Sequence, residues 1–366
     1  MTRGLSHRVA GLCNLRGSDA TKPLQISGWS RRGLKLRCLA SYLAQMLAVY
    51  HRGLGDPRKV WVLDAMAEAP EPGEGEARLQ MLASPIDPMD LLIARGLYPV
   101  GGAPPAIAGS EGVARVESVG AAVEGIKPGD QVAVPLRAGC WREQLTVTTK
   151  DLVVLPADSD PVQASMLRVN GLSAHALLDM AGLSPGQAII QSPGGGGVGQ
   201  YVIQLAAQRG IRTYNLVGED EDSEYLLGLG ATAIFPRRSL DRKVFPERAA
   251  IAFDGSGGAI SAQLAERLED GGCVICYGAM TRKAGQLGVT ETVFRDISMR
   301  GFWLRRWSSA RGRDRVHTDL QRLAKAGLHN RVAASYPLNE FPLALAHALS
   351  ERGEGRRGRV ILRMDR

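Results

Sequence analysis

Six consecutive residues, Gly194-Gly195-Gly196-Gly197-Val198-Gly199, carry the clearest chemical signal in the chain. They contain the spacing G-x-G-x-x-G, which is weak on its own. Here the loop follows an apolar run at 187–191 and opens a helical pattern at 198–208. In that context glycines permit a tight turn, and backbone can approach a pyrophosphate held at a helix N-terminus. Dinucleotide binding is the expectation. The end of the next strand should meet the adenosine ribose, and Gly218-Glu219-Asp220 stand there. An acid at that place accepts from a ribose 2′-hydroxyl and repels a 2′-phosphate. Arg237 and Arg238, past the third strand, are candidates to compensate.

Other chemistry is thin. Cys140 is the one cysteine between 39 and 272, and residues 53–174 contain no histidine. A zinc site is therefore not expected. Ser256 in Asp254-Gly255-Ser256-Gly257 lacks the first glycine of a nucleophile elbow. His175 lies in an apolar helical stretch and reads as a packed side chain. Cys273 and Cys276, three apart in an apolar strand, should face opposite ways as two small buried hydrophobes. Chemistry must then come mainly from a cofactor.

Two kinds of element must position these residues. Residues 46–165 hold short apolar runs divided by Gly and Pro, with strands expected at 46–50, 59–63, 77–82, 111–120 and 131–134. This half reads as a mostly β domain partly closed into a barrel. From 166 to 304 helical patterns alternate with short apolar strands at 187–191, 213–217, 231–235, 250–253 and 272–277, which indicates a doubly wound parallel sheet. Residues 305–366 add a charged helix at 319–326 and a last strand at 359–362, a return to the first domain. The fold class is α/β.

The net charge of +8 would by itself suggest nucleic acid or an anionic surface. Residues 1–45 carry eight basic side chains against the single acid Asp19, so +7 of it lies in a leader. The body is nearly neutral, and neither nucleic acid nor a membrane is an expected partner. The leader fits either of two readings. The true start could be Met46, giving a cytoplasmic bacterial enzyme; alternatively, residues 1–45 form a transit peptide to the mitochondrial matrix.

Several segments together resemble a family. Ser84-Pro85-Ile86-Asp87-Pro88-Met89-Asp90, Ala108-Gly109-Ser110-Glu111-Gly112, Gly139-Cys140-Trp141-Arg142-Glu143, Val169-Asn170 and Val198-Gly199-Gln200 match short signatures of the zinc-free medium-chain dehydrogenase/reductases. Arg300-Gly301-Phe302-Trp303-Leu304 with Trp307 matches R-G-F-W-L-x-x-W, the most specific of them. Within that family the chain resembles the mitochondrial-type trans-2-enoyl-thioester reductases.

The resemblance implies a GroES-like catalytic domain, an inserted Rossmann domain, and NADPH-dependent reduction of enoyl-CoA or enoyl-ACP in fatty acid synthesis. It places the catalytic tyrosine at Tyr98. Cofactor contacts fall on Asn170, the glycine loop, Tyr277, Gly278, Ala279, Met280, Phe302, Trp303, Leu304 and Arg359. Trp141, Trp303 and Trp307 are candidates for the substrate pocket. An acyl carrier protein and a second copy of the chain are the implied partners. One departure matters: arginines expected after the second Rossmann strand are replaced by Gly218, Glu219 and Asp220, so NADH stays open beside NADPH. A quinone oxidoreductase-like reductase and a cofactor-binding protein without turnover are the alternatives.

Overall fold

The computed structural model describes residues 45–98, 104–219, 222–237, 247–350 and 357–364. Residues 1–44, Asp220 and Arg238 lie outside them. The chain opens with β1 (Gln45–His51), the one-turn helix α1 (Pro57–Val60), β2 (Trp61–Ala67) and β3 (Glu76–Pro85). Next come α2 (Pro88–Ala94), β4 (Ala106–Ile107), β5 (Val113–Val119), β6 (Gln131–Ala133), β7 (Gln144–Thr148) and β8 (Val153–Val154).

The expected strand at 59–63 is corrected at its start. Asp56 accepts a hydrogen bond from Arg58 N and Pro57 sits at the first helical position, so Lys59 and Val60 finish a helical turn. β2 begins only at Trp61. Pro88 starts α2 in the same way, with the Asp90 carboxylate accepting from Asp87 N–H at 2.9 Å.

After α3 (Pro161–Ala164), a π turn (Leu167–Gly171) leads directly into α4 (Leu172–Ala181). A second run follows: β9 (Ala188–Ser192), α5 (Gly197–Gln208), β10 (Arg212–Val217), α6 (Ser223–Gly228), β11 (Ala233–Pro236), β12 (Ala249–Asp254), α7 (Ala259–Ala265), β13 (Leu268–Cys276) and β14 (Ser298–Gly301). Then α8 (Leu304–Arg311), α9 (Arg313–Lys325), β15 (Val332–Pro337), α10 (Phe341–Leu349) and β16 (Arg359–Arg363) complete the order.

Among the described residues these strands form three sheets. β9 to β14 make a six-stranded parallel sheet in the order β11-β10-β9-β12-β13-β14. The order reverses direction at β9, so the crevice outside its C-terminal end is a ligand site by topology. β1, β2 and β4 form a small antiparallel sheet. The remaining strands build a sheet in the order β15-β16-β3-β5-β6-β8, with β7 also on β3. β15 and β16 come from the C-terminal segment, so the chain returns to its first half. This is an α/β fold of a GroES-like domain with a Rossmann domain.

Two large apolar clusters hold it together. One runs from α4 and α5 through Ile189 and Phe253 to Leu320 and Leu323; the other gathers Leu79, Met81, Trp141, Leu145, Phe341 and Leu362. Cys273 packs at the edge of the first cluster and Cys276 against a third, so they do face opposite ways. Both are only half-buried, which corrects the expectation of full burial.

Candidate active site

The glycine loop lies between β9 and the first turn of α5. A Cβ on Gly199 would overlap the carbonyl oxygens of Pro193 and Gly194. One on Gly197 would come within 2.6 Å of Arg359 Nη2 and 3.0 Å of Asn170 Oδ1. The loop is thus packed closely against both halves of the molecule, and at Gly199, where a Cβ would meet backbone, only glycine fits. Its backbone is held from several sides. Gln200 Nε2 donates to Gly195 O at 2.8 Å, and Gln191 Nε2 to Gly199 O at 3.0 Å. Asn330 Nδ2, from the C-terminal return, donates to Gly197 O at 2.7 Å. This cradle fits a dinucleotide pyrophosphate: amides of the first α5 turn, no side chain in the way, and a guanidinium beside them.

Beneath the loop sits a knot of buried polar groups. Asn170 Nδ2 donates to Glu111 Oε1 at 3.3 Å and to Asp87 Oδ1 at 3.4 Å. Arg359 Nη2 donates to Asn170 Oδ1 at 3.3 Å and stands 3.3 Å from Asp87 Oδ1. Val169 N donates to Glu111 Oε2 at 2.8 Å, and Ser110 Oγ donates to Asp90. Three buried carboxyl groups thus lie near one another, and the Arg359 guanidinium is in contact with Asp87. Burial, then the neighbouring Asp87, pushes the Glu111 carboxyl well above its ordinary range. The same causes push Asp90 up to about 7. Like charges in low dielectric cannot all ionise, so the knot retains a proton at neutral pH.

At the other end, Phe302 N donates to Cys276 O at 2.7 Å, which fixes the chain as it leaves the sheet. Trp303 then caps α8, which begins at Leu304. Its indole Nε1 donates to the Tyr98 hydroxyl oxygen at 3.0 Å, with the two rings edge-on. Indole is a donor only, so Tyr98 is the acceptor and its own O–H is free to point elsewhere. Between these ends, Tyr277 N bonds Asp254 O at 2.9 Å and Met280 N bonds Gly255 O at 3.2 Å. That places Tyr277, Gly278, Ala279 and Met280 along the C-terminal edge of β12 and β13. Burial pushes the Tyr277 phenol up, so it stays protonated.

Trp141 lies elsewhere than expected, and Trp307 is half-buried. Trp141 has no exposed surface; it packs edge-on to Trp61 with ring centroids 4.8 Å apart and donates from Nε1 to Pro85 O at 3.2 Å. Trp307 packs against His175, with the Arg311 guanidinium over its ring. Trp141 is therefore a core residue, whereas Trp307 sits at the edge of the first apolar cluster, one helical turn beyond Trp303. His175 is a packed residue held 3.5 Å from the buried Asp319. Glu219, at the end of β10, is exposed.

Cys140 is fully buried and its thiol is pushed up by desolvation, opposite to what a metal-ligating thiolate needs. Among the described residues no three His, Cys, Asp or Glu side chains gather to hold a metal ion. A cavity lined by Glu247, Arg248, Arg267 and Arg295 lies at the N-terminal edge of the parallel sheet, the end opposite the glycine loop.

Comparison with known proteins agrees with this geometry. The profile of the alcohol dehydrogenase GroES-like domain matches residues 73–157, and that described as zinc-binding dehydrogenase matches 197–325. The human mitochondrial enoyl-[acyl-carrier-protein] reductase is 34% identical over 320 residues, covering 82% of this chain and 85% of that protein. The chain belongs to this enoyl reductase family. The Arabidopsis thaliana mitochondrial enzyme of the same name is 36% identical over 76% of the chain and 79% of its own length. Among solved structures, Etr1p in complex with NADP and crotonyl-CoA aligns with TM-score 0.77 at 19% identity, covering 87% of this chain and 99% of that one. A Bacillus thuringiensis protein described as an NADPH:quinone reductase aligns at 0.78 with 23% identity and the same coverage. At those identities the structures speak for the fold.

Proposed function

We propose that the protein reduces the 2,3 double bond of trans-2-enoyl thioesters with NADPH, without zinc. The hydrogen bond from Trp303 to Tyr98 carries this reading, because it leaves a phenolic proton available at the mouth of the nucleotide crevice. The reduced nicotinamide, when bound, supplies hydride to C3. The chain's own residues do the rest. The glycine loop, Asn170 and Arg359 seat the phosphates. Tyr277, Gly278, Ala279, Met280, Phe302 and Leu304 border the nicotinamide side. Negative charge develops on the thioester oxygen as the electron pair shifts from C3. Tyr98 faces that charge with a donor, and a proton delivered to C2 completes the saturated product.

Consumption of NADPH with crotonyl-CoA, one equivalent per butyryl-CoA formed, is the direct test. Turnover of quinones but not of crotonyl-CoA would favour the oxidoreductase alternative instead. Acyl carrier protein is the proposed natural carrier. Exposed Arg300, Arg305 and Arg306 flank Trp303 and suit its phosphate-bearing arm and acidic surface. A homodimer is proposed through β14, whose four residues are exposed at a sheet edge beside Val293 (67% exposed) and Phe294 (78%). Sedimentation giving a monomer at micromolar concentration would reject it. The mitochondrial names of the relatives favour the organellar reading of residues 1–45, which import into isolated mitochondria would test.

A further inference from the structure

The β10 turn should repel NADPH. After Val217 the chain reads Gly218-Glu219-Asp220-Glu221-Asp222, and the basic residues of the family pattern are missing. Asp220 and Glu221 lie outside the described residues. The other two acids differ in their circumstances. Asp222 caps α6: its carboxylate accepts from Tyr225 N at 3.1 Å and pairs with Arg331 Nη2 at 2.7 Å. The Arg331 guanidinium also lies over the Tyr225 ring, 3.9 Å from its centre. The charge of Asp222 is thus spent within the protein. Glu219 is exposed, so solvent and salt screen it.

Across the turn stands a cation. β11 runs parallel to β10, and Arg237 N donates to Val217 O at 2.9 Å where the two strands end. This brings the guanidinium over Gly218. Among the described residues, a Cβ built on Gly218 would meet a single atom within 4 Å, Arg237 Nη2 at 4.0 Å. Among the described residues, then, only a guanidinium borders the space above Gly218. Arg237 Nε is buried with no hydrogen-bond partner, and no carboxylate pairs with Arg237 among the described residues. A half-buried guanidinium with an unpartnered donor at the ribose end of a dinucleotide site suits a phosphate better than a hydroxyl.

We propose that Arg237, after the third Rossmann strand, is the specificity-determining residue that reads the 2′-phosphate of NADPH in this chain. It takes over the role usually given to residues after the second strand. Gly218 leaves the room, and Arg331 removes the repulsion of Asp222. The proposal rests on the reading of the cradle as a nicotinamide dinucleotide site.

Calorimetric titration of the full protein with 2′,5′-ADP and with 5′-AMP tests it without any turnover. Wild type is expected to bind the 2′-phosphorylated nucleotide at least tenfold more tightly. Arg237→Gln should remove that preference and leave 5′-AMP affinity within a few-fold, and Arg237→Lys should keep part of it. Retained 5′-AMP binding also shows that the variant is folded. A preference that survives Arg237→Gln overturns the proposal, as does a wild type that prefers 5′-AMP. In both cases turnover of crotonyl-CoA, with whichever nicotinamide binds, leaves the enoyl reductase reading standing. A wild type that binds neither nucleotide defeats both.

Discussion

The two ends of the site are built on opposite terms. Under the glycine loop, Asp87, Asp90, Glu111, Asn170 and Arg359 are largely removed from water and tied to one another. At the other end Tyr98 and Trp303 meet through a single described hydrogen bond, and Trp303 is 38% exposed. A closed end whose buried groups are tied to one another can hold a cofactor in fixed geometry, since moving a member strands further polar groups beside Asp87 Oδ2, already buried without a partner. An open end admits a substrate and gives it a proton donor whose orientation is set from behind. The difference separates binding from chemistry along one crevice.

The largest expected effect lies at the closed end. Arg359→Ala leaves the buried Asp87 carboxyl group without the cation 3.3 Å away, and stability should fall by about 3–5 kcal/mol. Equilibrium denaturation would show this, together with weakened cofactor binding. An Arg359→Ala protein of wild-type stability would mean the knot is not held electrostatically.

The tryptophans sharpen the contrast. Trp141→Ala empties a fully buried site and should cost about 3–5 kcal/mol. Trp303→Ala should cost under about 1 kcal/mol, yet lower kcat by freeing the Tyr98 hydroxyl. Thermal melts and steady-state kinetics on both variants decide it.

A smaller effect concerns pH. The Asp90 carboxyl is raised in the fold from 3.8 to about 7. The folded state thus holds this proton more tightly than the unfolded chain. Its contribution is full below about pH 4 and is lost as pH rises through about 7. Asp87, Ser110 and Arg359 face the same group. Asp90→Asn should flatten this part of the stability–pH curve, and an unchanged slope would assign the titration to another member of the knot.

Much of this was legible from residue types. The glycine loop announces itself because its spacing, the preceding β9 and the following α5 all demand the same turn. The parallel sheet follows from alternating apolar runs. Lys59 and Val60 misled, since two β-compatible residues obscured the Asp56-Pro57 start of a helical turn. Asp87-Pro88-Met89-Asp90 carried a helix start of the same kind, and reading it would have revealed α2 and its buried acids. The knot itself was invisible as a unit: its members come from α2, the approach to β5, the π turn and β16, and only the return of the chain joins them. The three tryptophans part company only in the fold: packing buries Trp141 completely, leaves Trp307 half-buried at the edge of a cluster and leaves Trp303 exposed.

Tyr98→Phe is the most direct test of the central claim. The change removes one oxygen at a half-exposed position, so folding and NADPH binding, followed by nicotinamide fluorescence, should be retained. The rate of crotonyl-CoA reduction in the saturated enzyme should fall by about 10²–10³, the usual loss for a donor aimed at developing charge. A variant that binds NADPH and reduces crotonyl-CoA at the wild-type rate would contradict the account.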